Sequence, residues 1–167
     1  MKEITFITTG GTIEKTYNEQ NGALSNQHSI LSKILSTLRL PDANINQRDV
    51  IFKDSLDITE NDREIILDIA RQAMGISDAI IILHGTDTLE KTGNMLFEEI
   101  KDPKCPIILT GAMRPYEFRD SDAAQNVTEA LFAACLVEPG VYVAMHNHLL
   151  TFPGVKKDRK KLTFVND

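Results

Sequence analysis

Five polar segments of the sequence each follow a short apolar run and combine hydroxyls, carboxylates or imidazoles, three of them beside glycines. They are Thr8-Thr9-Gly10-Gly11-Thr12, Asp54-Ser55-Leu56-Asp57, His84-Gly85-Thr86-Asp87-Thr88, Thr110-Gly111-Ala112-Met113-Arg114-Pro115 and His146-Asn147-His148. Hydroxyls are candidate nucleophiles, and glycines let backbone N–H groups approach a ligand closely. The third segment also opens a predicted helix, whose first amides favour an anion. These segments therefore predict a ligand site.

Each feature also has a purely structural interpretation. Gly10-Gly11 after a strand is usually a tight turn, and it is neither a G-x-G-x-x-G motif nor a P-loop. Residues 86–88 could simply cap a helix. A metal site at His84, His146 or His148 would need a further ligand from the same surface, and histidines in such positions are more often satisfied polar residues. We therefore expect no metal and no cofactor.

The elements that must position these segments alternate between strand and helix. The apolar patterns predict strands at residues 4–7, 50–52, 79–83, 106–109 and 141–145. They predict helices at 28–38, between an N-cap at Thr59 and a stop at Gly75, at 88–100 and at 123–136. Thr59 and Asp62 predict a capping box for the second helix, whose inner face we expect to carry Ile65. Residues 14–27 are predicted to be a polar loop. This order predicts an α/β fold, a three-layer α/β/α sandwich around a mostly parallel sheet, flavodoxin/Rossmann-like.

Parallel strands end at the same edge of a sheet, and ligands bind outside those carboxyl ends. That rule gathers the five polar segments on one side of the predicted sandwich. We therefore expect them to contribute to one site.

The composition is that of an ordinary globular domain. The chain has 167 residues and a formal net charge of −6, which argues against a nucleic-acid partner. No apolar run is long enough to cross a membrane, and the start of the chain has no secretory pattern. Cys105 and Cys135 lie in apolar-patterned stretches and are expected to be buried thiols, which favours a cytoplasmic location.

Three of the polar segments together resemble one family. T-G-G-T-I at residues 9–13, H-G-T-D-T at 84–88 and T-G-A-M-R-P at 110–115 are similar to the signature segments of the bacterial-type L-asparaginases. The resemblance extends more weakly over most of the chain. It implies the short branch of that family, with residues 1–167 as a single domain and without the C-terminal domain of the two-domain enzymes.

The resemblance also implies catalytic roles. Thr12 would be the nucleophile, while Thr86, Asp87 and a lysine would form a second cluster that supplies the base. Lys157 matches the lysine best. Tyr17 matches a loop tyrosine that pairs with the nucleophilic threonine in the short branch.

Substrate contacts follow from the same resemblance. Ser55, with backbone amides near Thr86, would hold the α-carboxylate of asparagine, and Asp87 would hold its α-ammonium. Backbone N–H groups of Gly11 and Thr86 would meet the developing oxyanion. Lys156 remains an alternative to the lysine chosen above, because the basic run at residues 156–161 is otherwise typical of a solvated surface.

The activity implied is hydrolysis of L-asparagine to L-aspartate and ammonia through a threonine ester. Glutamine or D-asparagine as substrate, and a non-catalytic module that binds an amino acid, remain alternatives. A two-thiol racemase is disfavoured because Cys105 and Cys135 are not at strand ends that face the site. The asparaginase-like component used in transfer-RNA amidation is longer than this chain.

Two further expectations concern assembly and motion. A site left open by a missing second domain predicts a homo-oligomer, because covering it would exclude water. The polar segment 14–27 begins beside Thr12 and carries Tyr17, which predicts a lid that closes over substrate.

Overall fold

Ten strands form one six-stranded sheet and two separate hairpins in the computed structural model, which describes residues 1–166. The strands are β1 (Lys2–Gly10), β2 (Thr16–Asn18), β3 (Ala23–Ser25), β4 (Ala43–Lys53), β5 (Ala79–Leu83), β6 (Pro106–Thr110), β7 (Gly140–Met145), β8 (His148–Thr151), β9 (Val155–Asp158) and β10 (Thr163–Asn166). The sheet has the order β4-β1-β5-β6-β7-β8, and only β8 is antiparallel to its neighbour. Counted among the five parallel strands, this is the flavodoxin-like order 2-1-3-4-5.

Four helices cover the two faces of the sheet. They are α1 (Leu31–Leu35), α2 (Glu60–Ala73), α3 (Leu89–Glu99) and α4 (Ala123–Leu136). Apolar side chains of α2 and α3 pack in one core cluster, and those of α1 and α4 pack in a second cluster on the opposite face. The predicted three-layer α/β/α sandwich is therefore confirmed. No helix within residues 1–166 is long and apolar enough to cross a bilayer.

The continuous apolar runs placed the inner strands correctly. All five residues of β5 and of β6 are buried, because helices cover both faces of a parallel sheet. The capping box at α2 is also confirmed: Thr59 Oγ1 accepts from the Asp62 N–H, and the Asp62 carboxylate accepts from the Thr59 N–H.

The edges of the sandwich differ from the prediction. The strand predicted at residues 50–52 is the 11-residue β4, which lies at a sheet edge with mostly exposed or half-buried side chains and so shows little apolar pattern. The helix predicted at 28–38 is shortened to α1. Strands β8, β9 and β10 follow the one predicted to be last, and their short, mixed sequences gave no signal.

The predicted loop at residues 14–27 was wrong in part. It holds one turn of 3-10 helix, Thr12–Glu14, followed by the antiparallel hairpin of β2 and β3. Two predicted buried side chains were also wrong, since Ile65 and Cys135 are exposed on their helices while Cys105 is buried. The buried face predicted for α2 was too wide, because it included Ile65.

Candidate active site

Three glycine-containing turns pack backbone against backbone at the carboxyl ends of β1, β5 and β6. A Cβ on Gly11 would lie 2.4 Å from the N and Cα atoms of Gly85, and one on Gly85 would lie 2.7 Å from Ser55 Oγ. A Cβ on Gly111 would lie 2.3 Å from the His84 carbonyl oxygen. Only glycine permits such approach, so the turns pack together because Gly11, Gly85 and Gly111 have no side chain. The contact between the β1 and β5 turns lies at the switch point of the strand order, where ligands bind in such sheets.

Thr12 opens the one-turn 3-10 helix that follows β1. Gly11 before it has φ +78°, a left-handed conformation that favours glycine. The Thr12 side chain is half-buried, and its hydroxyl makes no hydrogen bond within residues 1–166. Thr12 therefore directly follows the glycine that contacts the β5 turn.

The Gly11 N–H has a partner that the sequence did not suggest. It donates to the Lys53 carbonyl at the end of β4, over 2.8 Å. An oxyanion donor at Gly11 would have to give up this bond. Gly11 instead contributes through its backbone approach to Gly85.

Lys157 lies on Thr86 and Asp87, as predicted from the resemblance. Its Nζ donates to Thr86 Oγ1 over 2.7 Å and to Asp87 Oδ1 over 2.9 Å, and its side chain is only 10% exposed. The hydrogen bond and charge of Lys157 are the main reason that the pKa of Asp87 lies below its usual range, with Arg159 adding to the effect. An amine, a hydroxyl and a carboxylate thus meet beside the Thr12 turn.

Strand alternation separates the two candidate lysines. Consecutive side chains on a strand point to opposite faces, and on β9 Lys157 points inward while Lys156 is exposed. The Lys157 N–H also donates to Glu90 Oε2 over 2.9 Å, which fixes β9 against α3. The geometry therefore selects Lys157.

Arg159 is a neighbour of this cluster that the sequence reasoning missed. Its Nη1 donates to the same Asp87 Oδ1 over 2.9 Å, although the side chain is 69% exposed. Because it lies in a basic run, it was interpreted as a solvated surface residue. Arg159 lies in the turn directly after β9, and only the folded chain brings it to Asp87.

Ser55 is buried in a 3-10 turn after β4. Its carbonyl accepts the Thr88 hydroxyl over 2.7 Å, so the Thr88 side chain braces this turn and does not cap α3. The turn is held from outside by Lys15, whose Nζ lies 2.6 Å from Asp54 Oδ2. Ser55 thus sits against Gly85, beside the turn that carries Thr86.

Tyr17 does not reach Thr12 in this structure. The residue is 58% exposed on β2, and its N–H donates to Glu117 Oε2 over 2.7 Å. The hydroxyl points toward the hairpin turn, 3.8 Å from where a Cβ on Gly22 would be. Pairing with Thr12 would need movement of the hairpin, so the predicted lid stays a prediction.

Glu14 is a buried carboxyl beside the Thr12 turn that the sequence reasoning missed. Its Oε2 accepts the Gly10 N–H over 3.0 Å, and its Oε1 accepts the Ser29 hydroxyl over 2.5 Å. Burial raises the pKa of Glu14 to about 7, with the charge of Asp49 adding to the rise and the hydrogen bonds opposing it. A single acidic residue in a polar segment gives no sequence signal of burial.

Two histidines of the motifs, His84 and His146, have structural partners. His84 is fully buried between the Gly85 carbonyl and Thr92 Oγ1, and burial lowers its pKa to about 4, so the ring is neutral. His146 Nε2 lies 2.6 Å from Asp122 Oδ2, and that carboxylate also accepts the Met113 N–H. Across residues 1–166 no three acidic, histidine or cysteine side chains are grouped for a metal.

Comparison with known proteins identifies the domain. Residues 3–162 match the family model described as "Asparaginase, N-terminal". The chain is 33% identical over 151 residues to the L-asparaginase of Thermococcus kodakarensis, covering 90% of this chain and 46% of that protein. It is 30% identical over 151 residues to one component of the glutamyl-tRNA(Gln) amidotransferase of Methanococcus vannielii, covering 89% of this chain and 35% of that protein.

Solved structures agree with the sequence comparisons. The thermostable L-asparaginase from Thermococcus kodakarensis superposes with a TM-score of 0.89 at 31% identity, covering 98% of this chain and 51% of that one. A probable cytoplasmic L-asparaginase from Campylobacter jejuni gives 0.84 at 28% identity, covering 99% and 52%. The chain therefore spans about half the length of these relatives.

Proposed function

The chain belongs to the asparaginase family through its N-terminal domain, and from that premise we propose that it is an amidohydrolase that converts L-asparagine to L-aspartate and ammonia. One observation carries the proposal. Lys157 Nζ lies within hydrogen-bond distance of Thr86 and Asp87, on the turn that packs directly against the turn of Thr12. A nucleophile and a base system need that proximity.

The proposed reaction has two steps. Thr12 Oγ1 attacks the side-chain amide carbon, and its proton passes to the Thr86–Lys157 pair, which returns it to the amide nitrogen. The C–N bond then breaks, ammonia leaves, and a β-aspartyl ester remains on Thr12. Water then hydrolyses the ester and restores the Thr12 hydroxyl. For Lys157 to accept a proton, its Nζ must first lose one, and the Thr86 hydroxyl beside it is the natural relay.

Substrate binding in this proposal uses groups from two sides of the candidate site. Asp87 holds the α-ammonium, although Lys157 and Arg159 already share its Oδ1, so the substrate must share it too or displace Arg159. Ser55 and the turn of Thr86 hold the α-carboxylate. Tyr17 joins Thr12 only if the β2–β3 hairpin closes.

The alternatives to L-asparagine hydrolysis are an activity within a larger assembly, a related amide as substrate, and binding without turnover. The similarity to a component of a glutamyl-tRNA(Gln) amidotransferase favours an ammonia-releasing domain within a larger assembly as the second candidate. Glutamine differs from asparagine by one methylene, which changes binding by only about 1–3 kcal/mol, so it and D-asparagine are assayed alongside. A module that binds amino acids without turnover would release no ammonia from any of them.

The setting of the domain is part of the proposal. We propose that residues 1–167 act as one asparaginase domain in the cytoplasm, as a homo-oligomer that covers the open side of the cleft. Light scattering at catalytic concentration tests the assembly, and a monomer with full activity would contradict it.

The decisive experiment is ammonia release by the wild-type chain and by Thr12→Ala. We expect turnover of L-asparagine in the wild type and a loss of roughly 10⁴-fold or more in the variant, because a lost nucleophile leaves only residual catalysis. Thr128→Ala is the matched control, since its hydroxyl only donates to the Ala124 carbonyl on the exposed face of α4. Equal turnover in all three proteins would contradict Thr12 as nucleophile, and no release in any would contradict the amidohydrolase.

A further inference from the structure

We propose that Glu14 is a positioning residue that fastens the Thr12 turn to the base of the β2–β3 hairpin. Its side chain is fully buried, and each carboxylate oxygen has its own donor: the Gly10 N–H at 3.0 Å and the Ser29 hydroxyl at 2.5 Å. These donors lie on opposite sides of the hairpin in the sequence. The carboxyl thus closes the ends of residues 15–28 onto the nucleophile turn. The positioning role rests on the proposed function for its effect on turnover, but not for its structural part.

The Gly10 N–H needs this acceptor. Gly10 has φ +91° and lies where the register between β1 and β4 shifts, so the regular ladder stops at this point. A buried N–H without a partner is unfavourable, and the carboxylate of Glu14 supplies the partner. Removing it would leave the conformation of Gly10, and through it the position of Thr12, less firmly held.

Ser29 carries the link onward to α1. Its Oγ donates to Glu14 and accepts the Leu31 N–H over 3.2 Å at the start of that helix. The nucleophile turn, the carboxyl and the first turn of α1 therefore form one hydrogen-bonded chain. Movement of either end would be transmitted to the other.

A second tie holds the hairpin to the same turn. Asn26 Nδ2 donates to the Gly11 carbonyl over 2.8 Å, just after β3. With Glu14, this bond fixes both limbs of the segment that carries Tyr17. The two ties therefore anchor this segment on either side of the hairpin.

The test compares Glu14→Ala with Glu14→Gln. Glutamine keeps one oxygen for the Gly10 N–H and donates its amide to Ser29 Oγ, so we expect turnover within about threefold of wild type, because neutral hydrogen bonds of the same geometry persist. Alanine removes both bonds, and we expect kcat to fall by about 100-fold with KM little changed, the scale expected for a displaced reacting group. Glu3→Ala, which removes the carboxylate contact to Asn44 at the far end of β1, is the matched control.

Amide hydrogen exchange gives a readout that does not depend on turnover. Glu14→Ala is expected to speed exchange at Gly10 and across residues 15–28 but not in β5, whereas Glu14→Gln does neither. If the wild type releases no ammonia, the proposed function fails and the exchange pattern alone decides the role of Glu14. If Glu14→Ala does not fold, Ser29→Ala replaces it and should show the same pattern more weakly. Unchanged kcat together with unchanged exchange would overturn the proposal.

Discussion

The two sides of the candidate site are held by different forces. The glycine side, residues 10–14 with Ser29, is built from backbone contact and one buried carboxyl with two neutral donors. The lysine side, formed by Thr86, Asp87, Lys157 and Arg159, is built from charged side chains that meet across about 70 residues of sequence. One side therefore depends on volume and conformation, and the other depends on charge.

This difference shows which properties each side can contribute. Backbone atoms in direct contact cannot shift without a clash, so the glycine side fixes the position of Thr12. Charged side chains can exchange partners, and the proposed function relies on this property of the lysine side, for proton transfer and for binding the ammonium of a substrate. The rigid side carries the proposed nucleophile, and the adaptable side carries the proposed base.

The largest effect is expected from Gly11→Ala on the glycine side. Its Cβ would lie 2.4 Å from Gly85 backbone atoms at φ +78°, so strain and overpacking together should cost roughly 4 kcal/mol of unfolding free energy. Gly154→Ala is the matched control, because it has φ +92° but no atom within 4 Å. It should cost only about 1 kcal/mol. Chemical denaturation measures both, and equal losses would show that conformation alone matters.

On the lysine side, Lys157→Met should lower kcat by about 10³-fold, the usual contribution of a general base. The fold should survive, since Asp87 keeps Arg159 as a partner. Lys160→Met and Lys161→Met remove the same charge from exposed positions of the same run and should leave turnover unchanged. Equal losses in all three variants would indicate a general basic patch instead of a base.

The two sides should respond to pH in opposite directions. The pKa of Glu14 is raised from 4.5 to about 7. The free energy of unfolding should therefore fall as pH rises through that range, because the folded chain must then hold an ionised carboxyl in its core. Glu14→Gln should therefore raise the unfolding free energy at pH 8 by up to about 3 kcal/mol, and by almost nothing near pH 4. Thermal unfolding across pH checks this.

Asp87 supplies the opposite case. Its pKa is lowered from 3.8, so the stability it contributes is present above that value and is lost as pH falls below it. Asp87→Asn should thus reduce stability at neutral pH and converge with wild type in acid. Parallel pH profiles for Glu14→Gln and Asp87→Asn would remove the distinction between the two sides.

The smallest effect is expected from Arg159→Ala. The guanidinium is mostly exposed, so its ion pair with Asp87 should be worth under about 1 kcal/mol. Because it occupies the oxygen that the substrate ammonium would use, KM should fall by about two- to threefold with kcat unchanged. A rise in KM would place Arg159 among the groups that bind substrate.

Sequence reasoning predicted the interior of the molecule better than its margins. The buried run of β5 and the capping box at Thr59 have local signals, and both were placed correctly. Only residues 50–52 of the edge strand β4 were predicted, because the rest of it has no apolar run, and the β2–β3 hairpin was not predicted at all. A strand buried on both faces has a continuous apolar run that can be recognised in the sequence, whereas an edge strand or an exposed hairpin does not.

The candidate site divides in the same way. The turns at Gly10-Gly11 and at residues 84–88 were visible because their residue types recur in one family. Arg159 and Glu14 were missed because their roles arise from contacts with Asp87, Gly10 and Ser29 that only the folded chain creates. A lone charge in a polar segment does not reveal whether it is solvated or buried.

The inner position of β1 has a consequence for synthesis of the chain. The ribosome makes β1 before both of its neighbours, β4 and β5, and before the helices that bury its side chains Phe6 and Ile7. Lys157 follows Thr12 by about 145 residues, which at bacterial or eukaryotic elongation rates means roughly 7–30 s. During that interval the nascent chain carries the proposed nucleophile without its proposed base, so it is inactive as a catalyst. The apolar side chains of β1 stay exposed until its partners are made, which leaves the chain vulnerable to aggregation.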